Sequence, residues 1–168
     1  HLDPLHESRM AELLQDRSEI PVTQVSGRMV VESDHIYIIP PGHDLVMDGK
    51  MIGLRKRGAR SGHAPVDLFF RTLAEAAGKD ATGIVLSGTG ADGTEGIRHI
   101  REAGGITVAQ LPDEAEYDGM PASAISTGLI DLVLPAAKIP GELLRLRLHA
   151  TDLDPSGTPD SEAWMSRI

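Results

Sequence analysis

Two spacings of apolar residues alternate along this chain, and the change from one to the other outlines the fold. From Pro65 the spacing is helical: Val66, Phe69, Phe70, Leu73, Ala74 and Ala77 fall at i, i+3, i+4, i+7, i+8 and i+11, and Gly78 ends the run. Gly83-Ile84-Val85-Leu86-Ser87 follows, a short continuous apolar run typical of a strand buried on both faces. A glycine-rich turn then leads into a helix over about 94–103, stopped by Gly104-Gly105. Beyond it the pattern predicts a strand at Ile106-Thr107-Val108-Ala109, a short helix at 121–127, a strand at 130–134 and a last helix at 140–148. Strands alternating with helices imply a parallel sheet with right-handed crossovers.

The first third of the chain reads differently. Asp3 can cap a helix whose first position is Pro4, with Leu5, Met10, Leu13 and Leu14 as its apolar stripe. Val30-Val31 and Ile36-Tyr37-Ile38-Ile39 read as two short strands about a polar turn. Leu45-Val46-Met47 and Met51-Ile52 flank Asp48-Gly49, a hairpin signal in which both central positions need positive φ. The expected architecture is therefore α/β: a doubly wound, mostly parallel sheet with helices on both faces and an antiparallel hairpin at one edge. From Thr151 the composition shifts to Asp, Pro, Ser, Gly and Thr. Residues 1–150 are expected to form one domain, and 151–168 a linker or tail.

Composition removes several classes of function. The net charge of −9 leaves nucleic-acid binding without electrostatic support. No apolar run approaches the roughly 20 residues of a membrane span, so no membrane insertion is expected and a cytoplasmic location is the simplest reading. The absence of cysteine excludes disulfides, thiolate metal sites and a cysteine nucleophile. Only 3% of residues are aromatic, which points to a core of Val, Ile, Leu and Ala. His1 in place of an initiating Met suggests that sequence precedes the chain, and hence a domain incomplete at its N-terminus.

The sharpest chemical feature is Leu86-Ser87-Gly88-Thr89-Gly90-Ala91-Asp92-Gly93, where a predicted parallel strand ends and a helix begins. Open α/β sheets place their sites there. The glycines permit a tight turn with exposed amides, and Asp92 brings a carboxylate. A structural alternative is that Asp92 caps the following helix. A phosphate cradle is disfavoured, because no Lys follows as in a P-loop and an inward Asp92 would repel phosphate. Ser87 lacks the Gly-x-Ser-x-Gly elbow of a nucleophile and is expected to end its strand with its hydroxyl bonded locally. Of the seven histidines only His1 and His6 cluster, with Asp3 beside them, and no metal site is expected. Arg55-Lys56-Arg57 with Arg60 is a solvated basic loop, or else a docking patch for an acidic partner.

Taken in order, several segments resemble the catalytic domain of the CheB-type protein-glutamate methylesterases of bacterial chemotaxis. They are His1-Leu2-Asp3-Pro4 with Ser8, Tyr37-Ile38-Ile39-Pro40-Pro41-Gly42, Pro65-Val66-Asp67 with Phe69-Phe70-Arg71, Ser87 to Gly93, Ala109-Gln110, and Gly119-Met120-Pro121. The resemblance runs from His1 to about Leu148. It implies a Ser-His-Asp triad on a doubly wound fold, with His1 as general base, Asp92 as the acid that orients it, and the Thr89 backbone N–H in the oxyanion hole. His1 and Asp92 are then expected within hydrogen-bond reach of each other. The family's serine lies on a glycine-rich turn upstream of the histidine, so the nucleophile is not in this chain, and the chain alone is expected to be inactive. The implied substrate is a glutamate methyl ester on the cytoplasmic helices of a methylated chemoreceptor, with glutamine deamidation as the related reaction and no cofactor. Ser-Gly-Thr-Gly at 87–90 and the tail after 150 look more like members fused to a methyltransferase domain. A non-catalytic interaction module of the same fold, in a signalling protein, is the alternative.

Overall fold

The computed structural model describes residues 9–56 and 64–152. Among them the order is α1 (Met10–Gln15), β1 (Val22–Gln24), β2 (Met29–Val30), β3 (Ile36–Ile38), β4 (His43–Asp48), β5 (Met51–Lys56), α2 (Pro65–Ala77), β6 (Thr82–Val85), α3 (Thr94–Glu102), β7 (Ile106–Gln110), α4 (Gly119–Ser126), β8 (Leu132–Leu134) and α5 (Ile139–Asp152). Strands β6, β7 and β8 form a parallel sheet in that order, with Val85 beside Ala109 and Ala109 beside Val133. The α/β fold expected from the alternating spacings is present. The expected segment at 1–8 and the tail beyond 152 lie outside the described residues, as does most of the basic loop.

The parallel sheet's core is aliphatic. Phe70 and Ala74 of α2, Val85 of β6, Ile97 and Ile100 of α3 and Ala124 of α4 form one buried cluster, with Ala81 at its edge. Burial on both faces belongs to β7, where Thr107, Val108, Ala109 and Gln110 are all buried. In β6 only Gly83 and Val85 are buried, Thr82 and Ile84 are half-buried, and Leu86 beyond it is 49% exposed. The apolar run at 83–87 therefore has one well-covered face, with β6 at the edge of the described three-stranded sheet and β7 between two strands.

Thr107, fully buried on β7, is satisfied by a local network. Its hydroxyl lies 2.6 Å from the Leu129 carbonyl and accepts from the Asp131 N–H at 3.0 Å. Asp131 in turn accepts the Thr107 N–H at 2.9 Å. A polar side chain inside an aliphatic layer thus fixes where β8 begins relative to β7.

The antiparallel hairpin is β4–β5, and β2 pairs along the first half of β5 in the same three-stranded sheet. Its turn sits one residue later than Asp48-Gly49. Asp48 pairs with Met51, so the central residues are Gly49 and Lys50. Among the described residues Asp34 is the one non-glycine with positive φ, so only Gly49 (φ 55°) takes the left-handed conformation. That is the demand of a turn with glycine first, not of one with two left-handed centres. The two strands read at 30–31 and 36–39 do not pair with each other: β2 joins β5, while β3 pairs in parallel with β1. Val22–Gln24 carries too few apolar residues to announce β1 by spacing alone.

Helices α2 and α3 cross at closest approach at Gly96. A Cβ there would stand 2.6 Å from the Phe70 Cβ and 3.0 Å from the Asp67 Cα, neither of which can swing away. Gly96→Ala would regain up to about 1 kcal/mol of helix propensity, but overpacking at such a contact costs about 1–3 kcal/mol or more. We expect the variant to be destabilised net, by up to about 2 kcal/mol in urea unfolding, and a raised midpoint would refute this account of the crossing.

Candidate active site

The loop after β6 is held from three sides. The Ser87 N–H donates to Gln110 Oε1 on β7 at 2.9 Å, and the Ser87 hydroxyl accepts the Tyr117 N–H at 3.0 Å. The Gly88 N–H donates to the Tyr117 carbonyl at 2.9 Å, and the Gly88 carbonyl accepts the Met120 N–H at 2.8 Å. The Ser87 hydroxyl is thus engaged, though with a residue 30 positions away rather than locally. Two glycines permit this closeness. A Cβ on Gly88 would collide with the Met120 side chain, and one on Gly119 would meet the Gly90 nitrogen at 3.0 Å. Gly-Met-Pro at 119–121 therefore serves as a backbone clamp on the turn at 88–90. Thr89 is exposed, and its N–H makes no hydrogen bond among the described residues.

Asp92 does not cap the helix that follows it. Its two carboxylate oxygens accept the N–H groups of Val66 and Asp67, at 3.1 and 3.0 Å, at the start of α2. That helix has Ala64 at its N-cap, with no side chain able to accept, and Pro65 at the first position, with no N–H to give. Leu68 already bonds to the Ala64 carbonyl. Asp92 thus satisfies the two donors left over at this helix terminus, and the helix dipole favours its negative charge.

Asp67 returns the favour in the other direction. Its Oδ1 accepts the Gly96 N–H of α3 at 2.8 Å, while Gly93, the N-cap of α3 with φ 98°, has no side chain to do so. Each of the two helices is therefore capped by a carboxylate borrowed from the other's start. Burial pushes the Asp67 carboxyl above its usual range, and the Asp92 charge adds to the rise against the lowering by the α3 amides. Beside it lies a cavity of about 260 Å³ lined by Arg55, Asp67, Leu68, Arg71, Glu95 and His99. A larger cavity of about 460 Å³ is lined by residues of 26–28, β4 and β5, and by none from the loop at 87–93.

Asp92 and Thr89 stand on one loop between β6 and α3, as the sequence predicts. His1 lies outside the described residues. Asp67 was legible only as part of a motif, yet an acidic residue in the first turn of a helix beginning Ala-Pro carried the signal of a capping role. Among the described residues no group of three His, Asp or Glu side chains could hold a metal ion, and no helix is long and apolar enough to cross a membrane.

A carboxylate fixed at the C-terminal edge of a parallel sheet, next to a turn whose Thr89 amide has no acceptor among the described residues, defines an α/β domain with the site expected of its class. The family model for CheB methylesterase matches residues 1–143. The chain is 40% identical over 130 residues to an uncharacterised 104.1-kDa protein of Rhodobacter capsulatus, covering 77% of this chain and 14% of that protein. It is 35% identical over 141 residues to the protein-glutamate methylesterase/protein-glutamine glutaminase of Hydrogenovibrio crunogenus, covering 81% of this chain and 38% of that one. The crystal structure of the Thermotoga maritima CheB methylesterase catalytic domain superposes with a TM-score of 0.79 at 31% identity, over 87% of this chain and 80% of that chain. The chain belongs to the CheB methylesterase family. It spans less than half the length of these curated relatives.

The raised Asp67 pKa gives a signed expectation. Between the unfolded value, near 3.8, and the higher folded one, the folded chain binds more protons, so this group's contribution to stability falls as pH rises through that window. The penalty is fully present at neutral pH. Asp67→Asn removes it while keeping an oxygen for the Gly96 N–H. The variant should melt above wild type at pH 7, with the difference shrinking as pH falls toward about 4. The charged groups around it, Asp92, Glu95, Arg55, Arg71 and His99, are common to both proteins. A difference that instead grows on acidification would reverse the assignment.

Proposed function

We propose that this chain supplies the acid, the base and part of the oxyanion hole of a protein-glutamate methylesterase. The observation that carries the reading is the seat of Asp92: a carboxylate at the edge of the parallel sheet, fixed by two backbone amides before any substrate binds. A carboxylate that accepts these two amides can still accept an imidazole N–H, since each oxygen has two lone-pair directions. In this role Asp92 would accept the Nδ1–H of His1, holding the imidazole in the tautomer whose Nε2 accepts a proton. The nucleophile would be a serine ahead of His1 in the full-length protein.

The chemistry follows from those roles. His1 takes the serine proton as the oxygen attacks the γ-carbonyl of a methylated glutamate, and Asp92 stabilises the resulting imidazolium. The Thr89 N–H donates to the tetrahedral oxyanion, a contribution of about 3–4 kcal/mol for a donor of this kind. Collapse breaks the C–O bond to methanol, which takes the imidazolium proton. Water then attacks the acyl-serine with His1 again as base, giving glutamate and free serine. With a glutamine side chain the same steps release ammonia. The names of the relatives, protein-glutamate methylesterase/protein-glutamine glutaminase, support both reactions. The substrate would be the methylated cytoplasmic helices of a chemoreceptor. That a 104.1-kDa relative contains such a domain in 14% of its length supports a place within a larger polypeptide, a methyltransferase fusion being one form.

Methanol release from methylated receptor tests the reading. In the full-length protein, Asp92→Asn should lower kcat by about 10⁴, because the imidazole loses its orienting anion. Thr89→Ala should stay within a few-fold, since the donor is backbone. Equal losses would refute the assignment of this loop. The 168-residue chain by itself is expected to be inactive. Hydrolysis by a sample whose mass shows that it begins at His1 would overturn the placement of the serine, and a full-length protein with no activity would favour the non-catalytic module.

A further inference from the structure

The role proposed for Asp92 requires that its carboxylate be fixed, and its own two cap bonds do not complete the fixing. They tie Asp92 to the start of α2, but Asp92 itself stands on the turn that opens α3, two residues before Thr94. If α3 slid along α2, Asp92 would move with it and its cap bonds would stretch. What prevents the slide is Asp67, whose backbone N–H is held by Asp92 while its own Oδ1 holds the Gly96 N–H of α3 at 2.8 Å. A closed ring results: Asp92, the Asp67 backbone, the Asp67 carboxylate, Gly96, and back through Gly93 to Asp92. The close α2–α3 contact at Gly96 lies on the same ring.

We infer that Asp67 is a positioning residue for the esterase site, acting on Asp92 through this ring without touching the reacting atoms. The inference rests on the reading of Asp92 as the triad acid. Asp67 also contributes a charge, and its proximity to Asp92 means that the site carries two carboxylates where the chemistry uses one. Under this reading the triad imidazolium forms beside two negative charges, which favour its protons over the neutral ring. The groups facing Asp67 from neighbouring elements are Asp92 and Glu95 from the α3 side, Arg55 from β5, Arg71 from its own helix and His99 from α3. A neutral residue at 67 that keeps the cap would preserve the ring and release those protons more readily.

The test compares Asp67→Ala, Asp67→Asn and Asp92→Asn in the full-length protein, by methanol release from methylated receptor across pH. Asp67→Ala is expected to lose tenfold or more in kcat with KM within about twofold, since the ring positions a catalytic group and not the substrate. Asp67→Asn should recover most of that loss, because its amide oxygen accepts the Gly96 N–H. Its acid limb of kcat/KM should move to lower pH, a change that a purely structural cap would not cause. If Asp67→Ala does not fold, the Asn variant decides by its pH profile alone. An Asp67→Ala enzyme with wild-type kcat beside an inactive Asp92→Asn overturns the positioning role and leaves the triad reading standing. An unshifted acid limb in Asp67→Asn overturns the electrostatic part. Wild-type rates in Asp92→Asn would overturn both readings together.

Discussion

The exchange of carboxylates between the starts of α2 and α3 is the constraint on which the rest of this site depends. Neither helix can cap itself: α2 opens Ala-Pro and α3 follows a glycine. Each unsatisfied helix terminus in a partly buried setting would cost about 1–3 kcal/mol per missing bond. The sequence avoids that cost by placing Asp67 and Asp92 so that each serves the other's helix. Local order at one terminus therefore requires tertiary order at the other, and the two helices dock as a unit over the aliphatic cluster of Phe70, Val85, Ile97 and Ile100.

The second constraint is the backbone clamp between the loops after β6 and β7. Gln110, Tyr117 and Met120 hold Ser87 and Gly88 through side-chain and main-chain bonds, and the glycines at 88 and 119 make room for the contact. Thr89 is left protruding from a turn whose neighbours are fixed. Under the function proposed above the Thr89 amide meets a developing charge, which works best when no rearrangement is needed at that moment, and this clamp would supply the rigidity. Tyr117, with its main chain pinned at both ends, leaves its side chain 53% exposed beside the loop.

Much of this was legible in the sequence, and the limits have physical causes. Helix α2 was set by spacing, because it buries one face with a helical period, while β6 and β7 were set by short apolar runs and α3 by the glycines on either side of it. Strand β1 was not legible, since three half-buried residues make no pattern. The hairpin was found but its turn was misplaced by one residue, as Asp-Gly and Gly-Lys both offer a glycine and only the strand register separates them. Asp92 was identified as a carboxylate at a strand end. Which helix it caps was beyond reach, for the acceptor and its donors are separated by 25 and 26 positions. Side-chain exchanges between distant segments leave no periodicity behind.

The cap on α2 also changes what the presence of Asp92 means in this family of sequences. A residue used only in a reaction is free to drift once the reaction is lost, and its replacement often steadies the fold. Asp92 has a structural employment of its own: without it two amides at the start of α2 lose their acceptor. A copy of this domain that had ceased to be an enzyme would therefore still be selected to keep its aspartate. The residue records the architecture at least as faithfully as the activity. An aspartate at this position therefore does not by itself mark a working enzyme.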